Sequence, residues 1–231
     1  MHTHRLVRNK KAWIELPSVV LGRMPPFTIY IDRPLRETPA SEYIPYVHAS
    51  VEANLEDVFG ADGGYVPLRC GAFASNVTGM KDDIVSGKVS LYGGGFEQDN
   101  INPSDIGRVA GKILVSGPLN GQKMVYLYGP QIQSLHDSVA EVGKILGKNV
   151  EITTQSRDEA LQQRLKEMPE HIATYLVDVL GTPGPDKGNG ERFPNYDEGV
   201  QNVQLYTGTK STTFKEWVEE NRAKFIKAPQ K

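Results

Sequence analysis

The stretch from Glu42 to Asn76, EYIPYVHASVEANLEDVFGADGGYVPLRCGAFASN, constrains the fold more than any other part of the chain. It reads as a helix, a short loop, a strand, and a turn leaving the strand's C-terminal end. Ile44, Val47, Val51, Leu55 and Val58 recur every three or four residues, the spacing of one buried helical face. Gly60, Gly63 and Gly64 stop the helix and make the loop. Tyr65-Val66-Pro67-Leu68-Arg69 then has strand character and ends at Cys70-Gly71-Ala72. In an open α/β sheet a ligand crevice lies just beyond such strand ends.

His48 lies beside the apolar face, one turn before Glu52, and can point at that crevice. An imidazole titrates near neutrality and can donate or accept a proton there. Glu52, four residues on, could favour the imidazolium through an ion pair. The competing reading is a histidine that is only packed and hydrogen-bonded, since position on a helix fixes direction and not contacts. Cys70 is the only cysteine of the chain. At a strand end it is either a nucleophile in need of a base or a small residue packed at a turn, and packing is the favoured reading.

The remaining elements follow in order. Residues 1–26 read as a basic, irregular segment, with Arg5, Arg8, Lys10 and Lys11 ahead of the first acid, Glu15; a mitochondrial presequence is the alternative. Phe27 to Ile31 reads as a buried strand, β-branched and aromatic. Val77 to Ser86 is a polar helix or loop. Asn102, Pro103 and Asp105 open a helix whose stripe is Ile106, Val109, Ala110, Ile113 and Leu114, ended by Gly117-Pro118. Met124 to Tyr128 is a strand, and Ser134 with Asp137 starts the next helix. Val150 to Thr153 alternates as a strand. Ser156 and Glu159 form a capping box, Pro169 interrupts the helix they open, and a second segment runs from about Glu170 to Leu180. Residues 181–195, rich in Gly, Pro and Asp, form a long loop that acts as a lid or has no order of its own. Thr213 and Glu216 cap a last helix burying Phe214, Trp217, Val218 and Phe225, and residues 227–231 are tail.

Composition excludes several classes. With 28 acidic against 26 basic residues, no overall field favours nucleic acid or an anionic membrane. A lone cysteine leaves no disulfide framework, and no apolar run has the length of a membrane span. The expectation is a soluble, cytoplasmic protein. His2 and His4 have no Cys partner for zinc, and there is no Gly-x-Ser-x-Gly elbow and no Walker loop.

Five pieces in order resemble the NmrA-like and isoflavone-reductase-like branch of the atypical short-chain dehydrogenases. His48, Glu52 and Leu55 match its "Lys/His, three residues, Glu, then Leu" helix. Leu68-Arg69, Phe73 and Asn76 match the strand ending "Leu-Arg-Pro, small or aromatic residues, Asn". Asn102 to Gly107 is similar to its Asp-Ile-Gly helix start, Tyr126 to Pro130 to its "Leu-Thr-Gly-Pro" strand, and Thr212 to Trp217 to its last helix. The match runs from about residue 40 to about residue 226.

The resemblance implies an α/β fold: a partial Rossmann-type parallel sheet with a small C-terminal substrate lobe, one domain over residues 27–226. It implies an NAD(P)H-dependent oxidoreductase acting on a small carbonyl, enone or quinone-like substrate. The alternative is a non-catalytic, redox-sensing or regulatory member that binds a protein partner. In the family the helix lysine at the place of His48 touches the cofactor ribose or assists proton transfer. The turn Arg69, Cys70, Gly71, Ala72, Phe73 and Asn76 would approach the nicotinamide, with Cys70 standing where the family usually has proline. Met168, His171, Tyr175, Tyr196 and Tyr206 are the lobe residues that could line a substrate pocket.

One departure stands out. The family's Gly-x-x-Gly-x-x-Gly turn, whose helix takes the cofactor pyrophosphate, has no counterpart in this sequence. Gly93-Gly94-Gly95 follows a strand, but no helical pattern opens after it, and the glycines at 181, 184, 188 and 190 have no strand before them. The expectation is therefore a chain lacking the N-terminal half of the Rossmann sheet. Such a chain binds NADP or NAD weakly or not at all, and is a homodimer, an aggregation-prone monomer, or a chain with residues 1–40 folded back over the gap.

Overall fold

A computed structural model describes residues 34–60, 65–181 and 193–226. The expected strand Phe27 to Ile31, the basic N-terminal segment, Gly63, Gly64, most of the 181–195 loop and the tail lie outside the described residues.

Helix α1 (Tyr43–Phe59) is preceded by a 3-10 turn, Leu35–Glu37. Gly60, at φ 78°, ends it and donates to the Glu56 carbonyl. Strand β1 (Leu68–Cys70) follows, then a 3-10 turn (Ala74–Met80), α2 (Lys81–Ser86) and β2 (Lys88–Leu91). After β3 (Glu97–Gln98) comes α3 (Pro103–Ser116), capped as expected by the Asn102 side chain accepting from the Ser104 N–H. Next are β4 (Val125–Leu127), β5 (Gln133–Ser134), α4 (Leu135–Leu146) and β6 (Glu151–Thr154). Four more helices complete the order: α5 (Arg157–Arg164), α6 (Glu170–Gly181), α7 (Tyr196–Thr207) and α8 (Phe214–Glu220). Both capping boxes, Ser156 with Glu159 and Thr213 with Glu216, are formed. Gly93, at positive φ, makes a turn that leads into β3 and opens no helix.

The described strands pair in twos. β1 lies parallel to β4, with Leu68 opposite Val125 and Cys70 opposite Leu127. β2 lies parallel to β6, with Lys88 opposite Glu151, and β3 is antiparallel to β5. Parallel strands need long crossovers, and helices on the faces supply them here. A first core cluster gathers Ile84, Val89, Val139 and Val142 with Phe214 and Trp217. A second gathers Cys70, Val109, Val125, Leu127 and Val203 between the β1–β4 pair, α3 and α7. α8 has only seven residues, so its own propensity is marginal. What holds it is its cap and the burial of Phe214, Trp217 and Val218, each such apolar side chain contributing about 1.5–3 kcal/mol.

Two apolar stripes read from the sequence are corrected. α1 buries Ile44, Pro45, Ala49, Glu52 and Ala53, whereas Val51 is 43% and Val58 73% exposed. The inward face is two adjacent rows of i, i+4 spacing, 44–48–52 and 45–49–53. Alanines at 49 and 53 allow close approach, and Glu52 turns inward because Arg69 of β1 receives it. In α3 only Asp105 and Val109 are fully buried, and Leu114 is 63% exposed.

Candidate functional site

The expected crevice would lie where β1 and β4 finish side by side, at the turns that leave them. Leaving β1, the Gly71 N–H donates to the Leu127 carbonyl at 3.0 Å, which continues the β1–β4 pairing by one residue. The segment after β3 then runs beside the turn. The Ile101 N–H donates to the Ala72 carbonyl at 2.7 Å, and the Ala74 N–H to the Ile101 carbonyl at 2.9 Å. Phe73 faces Ile101 in a parallel bridge.

Asp99 sits at the centre, 1% exposed. Its Oδ1 accepts from the Ala72 N–H at 2.7 Å and its Oδ2 from the Gly129 N–H at 2.9 Å. Burial pushes this carboxyl up to about 7, against backbone N–H donors that pull it down. Both partner turns need glycine for close approach. A Cβ on Gly71 would fall within the Asp99 carboxylate, and one on Gly129 within the Asp99 carbonyl. The Tyr196 hydroxyl of α7 donates to the Gly129 carbonyl at 3.0 Å, tying the same turn to the C-terminal helices. Tyr126, Tyr128, Phe193 and Tyr196 stack around it with ring centroids 5.8–6.2 Å apart.

A buried ion pair walls the crevice on the α1 side. Arg69 Nη2 meets Glu52 Oε2 at 2.7 Å and Nε meets Oε1 at 3.2 Å, both side chains nearly withdrawn from solvent. Arg69 Nη1 also donates to the Tyr126 hydroxyl at 3.3 Å. This corrects the expected His48–Glu52 pair, because the guanidinium offers a two-point match that an imidazole cannot. His48 is half-buried on the inward rows of α1. Desolvation lowers its pKa, so it stands as a neutral imidazole at neutral pH, with no ion pair among the described residues to hold a proton.

The other expected turn residues are distributed unequally. Cys70 is buried, and burial with the nearby Asp99 pushes its thiol well above the usual range, so it packs rather than reacts. Arg69, Gly71 and Ala72 are spent on internal contacts, whereas Phe73 and Asn76 remain half-buried at the mouth. Of the expected lobe residues, His171 and Tyr175 line a shallow cleft of about 640 Å³ with Ser41, Glu170, Thr174 and Asp178. The Tyr43 ring meets His171 edge-on at 5.2 Å, which places this cleft at the N-terminal end of α1. Tyr196 belongs to the aromatic stack. Tyr206 is buried, donating to Gln122 at 2.6 Å and accepting from the Leu119 N–H. Met168 is half-buried. Sequence reading missed Asp99. Its one local signal is the run Asp99-Asn100-Ile101-Asn102 ahead of the α3 cap, with Asn100 at φ 50°.

Paired parallel strands joined through helices, with a built turn at their C-terminal ends, define a Rossmann-like α/β protein. No protein-family model matches the chain. It is 28% identical over 213 residues to a nitrogen metabolite regulation-like protein, bik4, of Gibberella fujikuroi, covering 83% of this chain and 61% of that one. This relative bears out the NmrA-like resemblance. The fold is similar to that of an NADPH-dependent quinone oxidoreductase from Escherichia coli (TM-score 0.54, 20% identity, 75% of this chain and 61% of that one). It is also similar to Citrobacter triphenylmethane reductase complexed with NADP(H) (TM-score 0.57, 16% identity, 85% and 63%). A nucleoside-diphosphate-sugar epimerase from Staphylococcus aureus shares it too (TM-score 0.58, 10% identity, 80% and 62%). The chain spans about three fifths of the length of these relatives. Among the described residues no helix is long and apolar enough to cross a membrane, and no group of His, Cys, Asp or Glu could hold a metal ion.

Proposed function

We propose that this chain carries the nicotinamide-facing and substrate-facing part of an NmrA-like NAD(P)H-dependent oxidoreductase. Its substrate would be a small carbonyl, enone or quinone. The observation that carries this reading is the turn from Gly71 to Asn76, anchored at the C-terminal end of a parallel strand pair in a fold shared with such reductases.

In this reading the residues present would serve one half of the cofactor. Phe73 and Asn76 at the mouth can stack on and hydrogen-bond a nicotinamide ring. Among the described residues no glycine turn joins a strand to a helix N-terminus, so they include no seat for a pyrophosphate. When bound, the nicotinamide supplies the hydride. His48, neutral and half-buried, can donate its ring N–H to the substrate oxygen and orient it, while the proton that completes reduction comes from solvent. The cleft beside His171 and Tyr175 lies at the end of α1 where a substrate would enter.

The test is consumption of NADPH and NADH by the purified chain with simple quinone and enone acceptors. Turnover that falls at least tenfold in His48→Ala, with the fold intact by circular dichroism, supports the enzyme reading. A second reading, a regulatory protein that binds a partner, is favoured by the name of the Gibberella relative. Absence of turnover under saturating NADPH would leave that one standing.

A further inference from the structure

We propose that Asp99 is the positioning residue of the crevice: its carboxylate clasps the turns that leave β1 and β4 and so sets the backbone of residues 71–76. The inference rests on the reading of that turn as the nicotinamide-facing element, but the clasp itself stands on geometry alone.

A single side chain takes one N–H from each turn, Ala72 on one side and Gly129 on the other, 27 and 30 residues away in sequence. Glycine at 71 and at 129 leaves room for the carboxylate and its main chain to lie against both turns. The clasp is itself held from behind. Asn100 donates from Nδ2 to Ser138 of α4 at 3.1 Å, the Ile101 N–H bonds Ala72, and Tyr196 bonds the far side of Gly129. If the clasp opens, the two strand-end turns are free to separate, and Phe73 and Asn76 lose their fixed place at the mouth.

Protonation strengthens the clasp. The titratable groups that face Asp99 are the Cys70 thiol of β1, the Tyr128 hydroxyl after β4 and the Tyr196 hydroxyl of α7. All three are neutral at neutral pH, and the Arg69 guanidinium is committed to Glu52. Among the described residues no neighbouring positive charge therefore holds Asp99 ionised in its dry seat, and backbone N–H donors alone favour the anion. Burial raises its pKa to about 7, while opening to water restores the ordinary carboxyl value. Raising the pH from about 5 to about 7 thus favours the open form, by up to tenfold per pH unit.

Hydrogen exchange followed by mass spectrometry on the full chain tests this, read in peptides covering residues 70–76 and 126–131. The peptide over Ala173 to Val177, buried in α6 and in none of the core clusters that hold residues of the turns, is the control. After correction for the intrinsic rate, exchange of both turns in the wild type should rise several-fold between pH 5 and pH 7. In Asp99→Asn, which has the same shape but sets an amide N–H₂ against one backbone N–H, both turns should exchange at least tenfold faster. The variant's corrected exchange should itself not vary with pH, so its excess over the wild type narrows from pH 5 to pH 7, and the control peptide should not change. Equal acceleration of the control would make Asp99 merely structural and overturn the proposal. Wild-type turns whose corrected exchange is flat from pH 5 to pH 7 would overturn it as well, and this series needs no variant to fold. NADPH titration separates the two readings. Binding that weakens in Asp99→Asn supports both, and binding unchanged despite loosened turns overturns the positioning role. No binding by the wild type, with the exchange result intact, removes the nicotinamide reading and leaves the clasp.

Discussion

Truncating either partner of the Glu52–Arg69 pair should unfold the protein far more readily than removing both. The two side chains are 12% and 8% exposed, and they meet through two hydrogen bonds of 2.7 and 3.2 Å. Glu52→Ala leaves a guanidinium in that dry place without its carboxylate, beside the Tyr126 hydroxyl at 3.3 Å and the Tyr126 ring at 5.9 Å. Arg69→Ala leaves a buried carboxylate. An uncompensated buried charge costs about 3–5 kcal/mol. With a urea slope of about 2 kcal/mol per molar, the midpoint should drop by about 1.5–2.5 M in each single variant. The double variant Glu52→Leu, Arg69→Met fills the same space without charge and should recover most of the loss, short of about 1 kcal/mol for the orphaned Tyr126 hydroxyl. Urea denaturation of the four proteins completes the cycle. Single variants that cost less than about 1 kcal/mol, or a double variant as poor as the sum of the singles, would refute the reasoning and place the pair in effective contact with water.

Gly71→Ala should drive a methyl into the Asp99 carboxylate and cost about 1–3 kcal/mol, read as a fall of several degrees in the thermal midpoint; an unchanged midpoint would show that the turn can move aside. His48 should titrate below its ordinary value of 6.5 by proton NMR. Since the folded pKa is the depressed one, this group's contribution to stability is full above pH 6.5 and is lost as the pH falls towards the folded value; a midpoint above 6.5 would mean that an anion reaches the ring. Asp99 acts in the opposite sense: its folded pKa is raised, so its contribution is full below about 4 and is lost as the pH rises to about 7. Denaturation midpoints of Asp99→Asn should lack that decline, and a parallel decline in the variant would assign it to other groups.

Local chemistry made the helix ends legible in the sequence. Asn102 before Pro103, Ser156 with Glu159 and Thr213 with Glu216 each satisfy backbone donors within four residues, so their roles do not depend on the rest of the fold. The burial of Phe214, Trp217, Val218 and Phe225 followed from the same local pattern. The face of α1 was not legible, because hydrophobicity pointed to Val51 and Val58 while the packed rows use alanines and a glutamate whose partner lies 17 residues away. Asp99 was invisible for the same reason on a larger scale. Its meaning lies in two backbone donors from the turns after β1 and β4, and the Asn-rich run beside it marks a turn rather than a buried carboxylate. His48 lies half-buried on the inward rows of α1, but its charge state depends on whether Glu52 is free, and Arg69 holds Glu52.

Saturation-transfer NMR with NADPH on the purified chain tests the central claim most directly, because it reports which end of the cofactor touches protein. In the proposed reading the turn from Gly71 to Asn76 meets the nicotinamide, and the described residues include no strand–glycine–helix seat for the phosphates. Each lost charge-assisted hydrogen bond costs roughly 1.5–3 kcal/mol, so two of them lower an ordinary micromolar affinity by about a hundredfold or more. The account predicts saturable binding near roughly millimolar concentration, with transfer to the nicotinamide protons and little to the adenine protons. Micromolar binding with equal transfer to both ends would contradict it, and would place a complete dinucleotide site in this chain.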